Sequence, residues 1–460
     1  MDGFLFIDFG STFTKLTLVD VNKDRIIATS KSHTTVKENV VNGYERALAE
    51  LRSKVGGEIN IIKRMACSSA AGGLKIIALG LVPELTAEAA KRAALGAGAK
   101  VIKTYSFQLN DDEIEEIKNS EANIILLAGG TDGGNRKTIL HNAKMIAKHN
   151  IKIPIVVGGN KSCTDQIKEI FKDDIEYYIT ENVMPKLNKL NIEPAREVIR
   201  EIFMENITHV PGMEEVENRI SQVVMPTPAA VLRSAEILAK GTACEPGIGD
   251  MMVVDIGGAT TDVHSASDGF PTKSSILLKG LEEPFIKRTV EGDLGLRYSA
   301  KSLYEGSGSF LLKKYLVGKK YNISYEVENR NSNADMVPEN EEGRYFDESL
   351  AKVCVDLSVK RHAGSIESVY TPNGMVFYQE GKDLQNLSSI IGTGGVLVNS
   401  ENPRSILEVG LYKDEEPDSL KPKNPKCLLD KKYILSAMGL LSMIDEDKAV
   451  RILKKYVVEV

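Results

Sequence analysis

The chain opens with a short apolar run at positions 4–7, which ends in Asp8 and Gly10. Two more strand-length segments, at 14–20 and 25–29, follow without room for a helix between them. Short apolar runs bounded by turn residues predict β-strands, and three in close succession predict an antiparallel meander. A helix and a further strand complete this part of the pattern, at 42–53 and 61–67.

Between residues 86 and 205 the pattern changes to an alternation of helix-length and strand-length segments. Helices are expected at 86–98, 111–119, 136–149 and 164–171, and strands at 100–104, 123–128 and 153–157. This rhythm predicts a parallel βαβ sheet, inserted as a self-contained domain in the first half of the chain. Two of its strands end in glycine turns, at 129–134 and 158–160. Such positions often bind ligands in α/β sheets, but tight turns without a ligand explain them equally well.

The second half starts from another strong apolar run, at 251–254, which leads into Asp255. A helix is predicted just before it, at 227–240, because prolines open the segment and a glycine follows it. Residues 306–345 are polar and poor in apolar positions, which predicts a mobile or exposed excursion. The remaining predicted elements are a helix, a strand and a last helix, at 346–362, 375–378 and 433–444.

Composition and charge narrow the class of protein. The 460 residues carry a net charge of −6, with 27% charged and 42% hydrophobic residues, as in ordinary globular proteins. The mild charge argues against a nucleic-acid binder, and no run approaches the roughly 20 apolar residues of a membrane helix. The start carries an acid and no basic region, unlike a signal peptide. The five cysteines are far apart and indicate reduced thiols without a zinc site, so we expect a cytoplasmic protein.

The first strand turn carries residues suited to binding phosphate. Gly10 permits a tight turn whose amides can face phosphate oxygens, and the hydroxyls of Ser11 and Thr12 can add donors. Lys15, on the returning strand, can reach a terminal phosphate. Asp8 would repel phosphate and is instead expected to hold Mg²⁺ through water. A single turn of this composition is more often only a turn.

The second turn repeats the same design after the run at 251–254. Its aspartates, glycines and hydroxyls are Asp255, Gly257, Gly258, Thr260, Thr261 and Asp262. Two such turns can clamp a triphosphate. Asp8 and Asp255 would then organise Mg²⁺ and the attacking water, while Lys15 stabilises charge on the transferred phosphoryl group. Asp262 is either a general base or, as we prefer, a support for the phosphate turn.

A third glycine turn follows the strand-like residues 389–391. It consists of Gly392, Thr393, Gly394 and Gly395. Glycines lack side chains and let a flat base or ribose lie against the backbone, so this turn fits an adenosine site when it follows two aspartate turns. The chain contains no Gly-x4-Gly-Lys-Ser/Thr sequence, which excludes a P-loop protein.

The order of these three motifs resembles the superfamily of actin, sugar kinases and heat-shock chaperone ATPases, and the place of Lys15 looks like the actin pattern. The resemblance implies an α/β fold with duplicated actin-like, ribonuclease H-like ATPase halves and the parallel α/β domain inserted in the first. It also implies ATP with Mg²⁺ in a cleft that opens and closes about two hinge helices, 227–240 and 433–444. The expected parts are a first half, the insertion, a return with the first hinge helix, a second half, and a final hinge helix with the C-terminal return, at 1–85, 86–205, 206–245, 246–430 and 431–460.

Several stretches are similar to the accessory protein of cobalamin-dependent glutamate mutase, a family labelled MutL or GlmL and unrelated to the mismatch-repair protein MutL. These stretches span nearly the whole chain and begin at Phe6, Ala128, Asp255, Glu291, Arg361 and Ile391. The resemblance implies an ATPase that reactivates or assembles an adenosylcobalamin-dependent mutase, with the mutase subunits as partners. It favours glutamate mutase as the client, and the sequence does not separate it from related mutases and aminomutases.

Three functions stay open at this point. The first is a chaperone-like ATPase, the second a small-molecule kinase of the same fold, and the third an actin-like scaffold switched by nucleotide. The inserted α/β domain favours partner binding, because a substrate pocket does not require another whole domain. A homodimer stays open as well.

Overall fold

The computed structural model describes residues 1–10, 12–35, 39–69, 74–172, 174–207, 222–318, 320–372 and 374–460, with the single positions 212, 215 and 220. The contacts between residues divide the chain into two compact units. The first unit comprises Met1–Ala230 and Gly280–Glu282, and the second comprises Val231–Lys279 and Glu283–Val460.

Strands and helices of the first unit follow one another in a long series. Its strands are β1 (Asp2–Phe9), β2 (Phe13–Asp20), β3 (Ile26–His33), β4 (Asn60–Ser68), β5 (Lys75–Gly80), β6 (Lys100–Ser106), β7 (Ile124–Leu127), β8 (Ile155–Val157), β9 (Tyr177–Ile179) and β10 (Gln222–Pro226). Its helices are α1 (Val40–Lys54), α2 (Glu88–Gly96), α3 (Asp111–Lys118), α4 (Lys137–Lys148), α5 (Thr164–Phe171) and α6 (Glu193–Ile207), and α7 (Thr227–Lys240) begins in this unit and continues into the second. Short π-helical and 3₁₀ turns lie at Pro83–Ala87 and Lys161–Cys163.

The first sheet of this unit has the strand order β10-β4-β1-β2-β3. Strands β1, β2 and β3 are antiparallel neighbours, which confirms the predicted meander, while β4 and β10 run parallel to β1. Five apolar residues of β1 and β2 are almost fully buried in the core of the unit: Leu5, Ile7, Phe9, Leu16 and Leu18. The hairpin that carries Asp8 and Lys15 is therefore anchored from below by packed side chains.

The second sheet of the first unit is parallel throughout, with the order β6-β5-β7-β8-β9. Its central strands β7 and β8 are completely buried, which explains why they are continuous apolar runs rather than alternating ones. The sheet begins with β5 (Lys75–Gly80), ahead of the expected boundary at residue 86. A six-residue apolar run cannot be assigned to a domain by periodicity alone, so the sequence did not reveal this first strand.

The second unit contains nine strands and seven helices in the described part of the chain. The strands are β11 (Met251–Ile256), β12 (Thr261–Ala266), β13 (Ile276–Lys279), β14 (Ile286–Glu291), β15 (Ser365–Thr371), β16 (Gly374–Glu380), β17 (Ser389–Thr393), β18 (Lys426–Asp430) and β19 (Val457–Glu459). The helices are α8 (Ala300–Tyr315), α9 (Ile323–Ser332), α10 (Glu341–His362), α11 (Gly395–Asn399), α12 (Pro403–Leu407), α13 (Leu435–Leu441) and α14 (Glu446–Tyr456), with a 3₁₀ turn at Glu408–Gly410.

The main sheet of the second unit has the order β14-β12-β11-β17-β18-β19. Strands β11, β12 and β14 are antiparallel neighbours, and β17 and β18 run parallel to β11. Apart from the added edge strand β19, this order and these directions repeat those of the first sheet. The duplicated ribonuclease H-like halves with an inserted parallel domain, expected from the sequence, are thereby confirmed.

The expected exposed excursion at 306–345 is wrong for much of that stretch. Part of it forms α8 and α9, and the side chain of Arg330 in α9 is fully buried. Its guanidinium donates to Asp347 Oδ1 at 2.6 Å and to Glu326 Oε2 at 2.5 Å. The segment is polar because it packs through buried ion pairs, and hydropathy alone does not distinguish such a segment from an exposed one.

Two further differences concern the C-terminal part. The strand expected at 375–378 is one half of an antiparallel hairpin, β15 with β16, which forms a small sheet with β13. The last helix expected at 433–444 is the shorter α13, followed by α14, whose first turn is capped by the Asp445 side chain. None of the helices within the described ranges is long and apolar enough to cross a membrane.

Candidate functional site

The first strand turn lies where β1 passes into β2. Gly10 donates its backbone N–H to the Phe13 carbonyl at 3.1 Å, and a Cβ on Gly10 would lie 2.7 Å from that same oxygen. Only glycine therefore fits this close approach. Thr12 is half-buried, and its carbonyl accepts from the Thr34 N–H at 2.8 Å. Ser11, which we expected to contact phosphate, lies outside the described residues.

Asp8 and Lys15 face each other directly across the β1–β2 pair. The Lys15 ammonium is 3.8 Å from Asp8 Oδ2, and the two side chains are 31% and 8% exposed. The lysine thus extends toward solvent from beside a mostly buried carboxylate. The sequence placed both residues in one hairpin, and the register brings them together.

Thr227 is a site residue that the sequence motifs did not reveal. It follows β10 and begins α7, and its hydroxyl donates to Asp8 Oδ1 at 2.7 Å. The same hydroxyl lies 3.6 Å from the sulfur of Cys67, which is the neighbour of Asp8 on β4. Burial, and next the charge of Asp8, raise the pKa of the Cys67 thiol, so it stays neutral.

The second turn repeats the hydrogen bond of the first. Gly257 donates its N–H to the Thr260 carbonyl at 2.9 Å, as Gly10 does to the residue three positions later. A Cβ on Gly257 would lie 3.0 Å from that oxygen, whereas one on Gly258 would meet only side-chain atoms at 3.5 Å or more. The similarity between the two turns in sequence thus extends to the backbone.

A segment at 294–299 braces the second turn. The carbonyls of Gly257 and Gly258 accept from the backbone N–H groups of Leu296 and Arg297 at 3.2 and 2.8 Å. Ser299 donates its hydroxyl to the Ala259 carbonyl at 2.6 Å, and a Cβ on Gly295 would lie 2.5 Å from the Ala259 carbonyl carbon. These contacts hold the carbonyls of the turn, which would otherwise repel an anion.

Thr261 belongs to this brace. Its side chain is buried and its hydroxyl donates to the Leu294 carbonyl at 2.7 Å. We expected Thr261 to contact a cofactor, and this arrangement gives it a structural part instead, because its donor is already used inside the protein. Thr260 is half-buried, and its hydroxyl donates to Asp262 Oδ2 at 3.1 Å.

Asp262 lies directly opposite Asp255 across the β11–β12 pair, the place that Lys15 takes opposite Asp8. Arg288 donates to its Oδ1 through Nε at 2.8 Å and Nη2 at 2.5 Å. A carboxylate held in this way is a poor base, so the geometry favours support over proton transfer. Burial, and next the charge of Arg288, lower the pKa of the adjacent His264 to about 3, which keeps that ring neutral.

The third glycine turn lies beside the second, since β17 pairs with β11 and Thr393 is the register neighbour of Asp255. Gly394 has a φ of 105°, and a Cβ there would lie 2.3 Å from the Ile256 carbonyl oxygen. Gly392 and Thr393 are buried too, whereas Gly395 is exposed. Of the three glycines assigned to nucleotide binding, Gly395 alone is open, and the other two permit close packing.

Tyr433 borders the exposed side of this turn. A Cβ on Gly395 would lie 3.9 Å from its hydroxyl. Burial, then the charge of Asp255 and that of Asp430, raise the pKa of the Tyr433 phenol, so it keeps its proton. Its backbone is left-handed with a φ of 54°, which costs a non-glycine residue about 1 kcal/mol.

Two sequence stretches without an earlier physical explanation come together beside β12. Arg361, in the last turn of α10, donates to Glu291 Oε2 at 2.6 Å and to both Asp293 oxygens at 2.7 and 2.9 Å. The neighbouring His362 is buried, with its ring nitrogens 2.8 Å from the hydroxyls of Thr289 and Ser265. We expected both residues to end a helix favourably, and they do, but they also attach α10 to the strand next to the brace.

The glycine turns of the inserted domain are held by their own side chains. Asn160 Oδ1 accepts from the Gly133 N–H at 3.1 Å, and its Nδ2 donates to the Gly134 and Asn135 carbonyls at 3.3 and 3.2 Å. Asn182 donates to the Gly130 carbonyl at 3.0 Å. This internal bonding supports the interpretation of these loops as tight turns.

Comparison with known proteins gives a family match over almost the whole chain. The model of the MutL protein family matches residues 4–457. A relative from Clostridium tetanomorphum, "Protein MutL", is 57% identical over 462 residues, which cover 100% of this chain and 100% of that protein.

Solved structures are much more distant. The activator of 2-hydroxyisocaproyl-CoA dehydratase from Clostridium difficile with bound ADPNP is 10% identical at a TM-score of 0.33, covering 98% of this chain and 97% of that one. A glycerol dehydratase reactivase is 10% identical at a TM-score of 0.35, covering 96% and 99%. Glycerol kinase from Plasmodium falciparum with ADP is 12% identical at a TM-score of 0.37, covering 100% and 93%. The fold assignment therefore rests on the strand order described above.

Proposed function

The chain belongs to the MutL family of glutamate mutase accessory proteins, and from this premise we propose that it binds and hydrolyses ATP in the service of an adenosylcobalamin-dependent mutase. ATP binds at the turns that begin at Asp8 and Asp255. Hydrolysis drives the reactivation or assembly of the mutase, with glutamate mutase as the favoured client.

The observation that carries the proposal is the duplication of the aspartate turn. Each turn follows the central first strand of a five-strand arrangement, and each closes with a glycine N–H bonded to a carbonyl three residues on. In each, a glycine is required where its backbone comes within 3.0 Å of an opposing carbonyl. Tight turns with a restrained backbone can present N–H groups to phosphate oxygens, as other anion-binding loops do.

Charge at the first turn fits a terminal phosphate. Lys15 offers the nearest ammonium, and its partial exposure leaves it able to turn from Asp8 toward a bound anion. At the second turn the corresponding position is an aspartate, and Arg288 neutralises it. The two turns therefore differ in charge, and Lys15 is the group we assign to stabilising the transferred phosphoryl group.

The donor set also fits Mg²⁺, which takes one or two carboxylates and keeps most of its waters. Each unit supplies one aspartate of this kind, Asp8 and Asp255. No group of three His, Cys, Asp or Glu side chains that could hold a metal occurs within the described ranges, so a fully protein-bound ion is not part of the proposal. When bound with ATP, the ion would neutralise charge on the phosphate oxygens.

A direct test is ATP turnover by the purified chain and by Asp8→Asn. The substitution keeps the shape of the side chain and its contact with Thr227, but removes the negative charge. We expect ATPase turnover to fall by at least about tenfold, the loss of one strong electrostatic contact. Asp112→Asn, which changes an exposed aspartate on α3, should leave the rate unchanged.

The outcomes separate the proposal from its competitors. Turnover like that of the wild type in a folded Asp8→Asn variant would remove Asp8 from the site. A phosphorylated small molecule as product would identify a kinase, although the ion pair between Asp262 and Arg288 leaves that residue poorly suited as the base. Nucleotide-dependent light scattering would identify a scaffold that polymerises.

A further inference from the structure

Each of the two duplicated sheets leads from its fifth strand toward a helix through a residue with a hydroxyl group. In the first unit, β10 ends at Pro226 and Thr227 follows at once as the first residue of α7. In the second unit, β18 ends at Asp430 and Tyr433 lies just before α13. Because the strand order is the same in both sheets, Thr227 and Tyr433 occupy corresponding places in the two halves.

The two hydroxyls also have corresponding neighbours. That of Thr227 donates to Asp8 Oδ1 at 2.7 Å, at the end of the first strand of its sheet. That of Tyr433 lies beside the open glycine of the third turn, and its phenol is close enough to Asp255 for that carboxylate to raise its pKa. In each half, a residue after the fifth strand thus approaches the aspartate of the first.

The backbone of Tyr433 is held in its left-handed conformation from both sides. Its N–H donates to the Asp430 carbonyl at 3.3 Å, and the Asp430 carboxylate accepts from the N–H groups of Ile434 and Leu435 at 2.9 and 3.1 Å. Ser234, in α7, donates to the Leu435 carbonyl at 2.5 Å. A non-glycine residue keeps such a conformation only where its surroundings fix it, and these residues cluster at functional sites.

We propose that Tyr433 is a positioning residue of the nucleotide site, orienting the Asp255 carboxylate as Thr227 orients that of Asp8. This inference rests on the proposed function. The phenol borders Gly395 and restricts the space in which the carboxylate can turn, so Asp255 is ready for the water shell of Mg²⁺. Tyr433 does not contact the transferred phosphoryl group in this role, and the hydroxyl rather than the ring is the active feature.

The test compares Tyr433→Phe and Thr227→Val, each of which removes one hydroxyl and keeps the shape of the side chain. ATP hydrolysis is measured against Mg²⁺ concentration at saturating ATP. Each variant should need about tenfold more Mg²⁺ for half-maximal rate, the loss expected for one hydrogen bond to a charged group. The maximal rate at saturating Mg²⁺ should change by less than about threefold, because an oriented carboxylate affects binding of the ion first.

Tyr370→Phe is the matched control, because it removes the hydroxyl of a tyrosine that is 83% exposed on β15. It should behave as the wild type. An unchanged Mg²⁺ dependence in a folded Tyr433→Phe variant would overturn the inference, and so would a lower melting temperature without a shift in that dependence. If calorimetry finds no ATP binding by the wild type, the proposed function fails, and this inference fails with it.

Discussion

Asp8 illustrates how much a single side chain at this site depends on its neighbours. One oxygen accepts a hydrogen bond from Thr227 at 2.7 Å, and the other lies 3.8 Å from the Lys15 ammonium. The carboxylate is nearly buried and keeps one orientation, since both partners are fixed by separate elements, β2 and α7. A carboxylate prepared in this way loses little freedom when it meets the water shell of an ion.

At the same scale, Lys15 is expected to distinguish ATP from ADP. Lys15→Ala removes the cation that we assign to the terminal phosphate and should weaken ATP binding by about tenfold, with ADP much less affected. Calorimetric titration with both nucleotides measures the ratio of the two affinities. Lys63→Ala, which removes an exposed lysine from β4 of the same sheet, is the control. A ratio that Lys15→Ala leaves unaltered would count against the assignment.

At the scale of elements, the three turns form one set through strand pairing. β17 lies next to β11, so the third turn directly adjoins Asp255, and the segment 294–299 braces the second turn from outside. The glycines have distinct parts in this set. Gly10, Gly257 and Gly394 let backbones approach closely, whereas Gly395 is open on its outer side.

Gly394→Ala tests the packing of the third turn. A Cβ at this position would lie 2.3 Å from the Ile256 carbonyl oxygen, so the substitution should destabilise the second unit by about 3 kcal/mol. This corresponds to a drop in melting temperature of roughly 6–12 °C. Gly374→Ala is a matched control, because Gly374 has a similar φ of 113° but no atom within 4 Å of the added carbon. Equal losses in calorimetric scans of the two variants would show that the backbone angle, rather than the clash, decides the cost.

For the whole molecule, the sheet is duplicated and the duplicates differ in what was added to them. The first half contains an inserted five-stranded parallel sheet. The second half contains α8, α9 and a small sheet formed by β13, β16 and β15, whose exposed apolar residues include Leu277, Tyr370 and Met375. Additions of this size to a nucleotide-binding core are more than a small substrate needs, and they favour a macromolecular partner.

The tagged chain is therefore expected to retain subunits of a cobalamin-dependent mutase, in amounts that differ between ATP and ADP. The reason is that an ATP-driven accessory protein must bind its client with different affinities in its two nucleotide states. A pull-down under both conditions, with Asp8→Asn as a variant impaired in hydrolysis, measures this. A mutase retained equally with either nucleotide by both proteins would contradict a nucleotide-driven cycle.

Prediction from the sequence succeeded where apolar periodicity was strong and failed where burial is polar. The helix at 227–240 and most of the alternating elements between 100 and 171 agree with the structure within a few residues. Arg330 shows why the excursion was misassigned, since its burial depends on Asp347 and Glu326. The internal use of the Thr261 hydroxyl could not be predicted either, because its acceptor comes from a loop distant in sequence.

By itself, the sequence determined that two aspartate-glycine turns exist, that each follows a buried strand, and that an α/β domain separates them. These properties are local, because glycine permits tight turns and apolar runs of this length form strands. Tertiary structure alone decided which groups meet at those turns. Thr227 reaches Asp8, Arg288 neutralises Asp262, and Tyr433 borders Gly395 because strands distant in the chain become neighbours in a sheet, and register sets which side chains face each other.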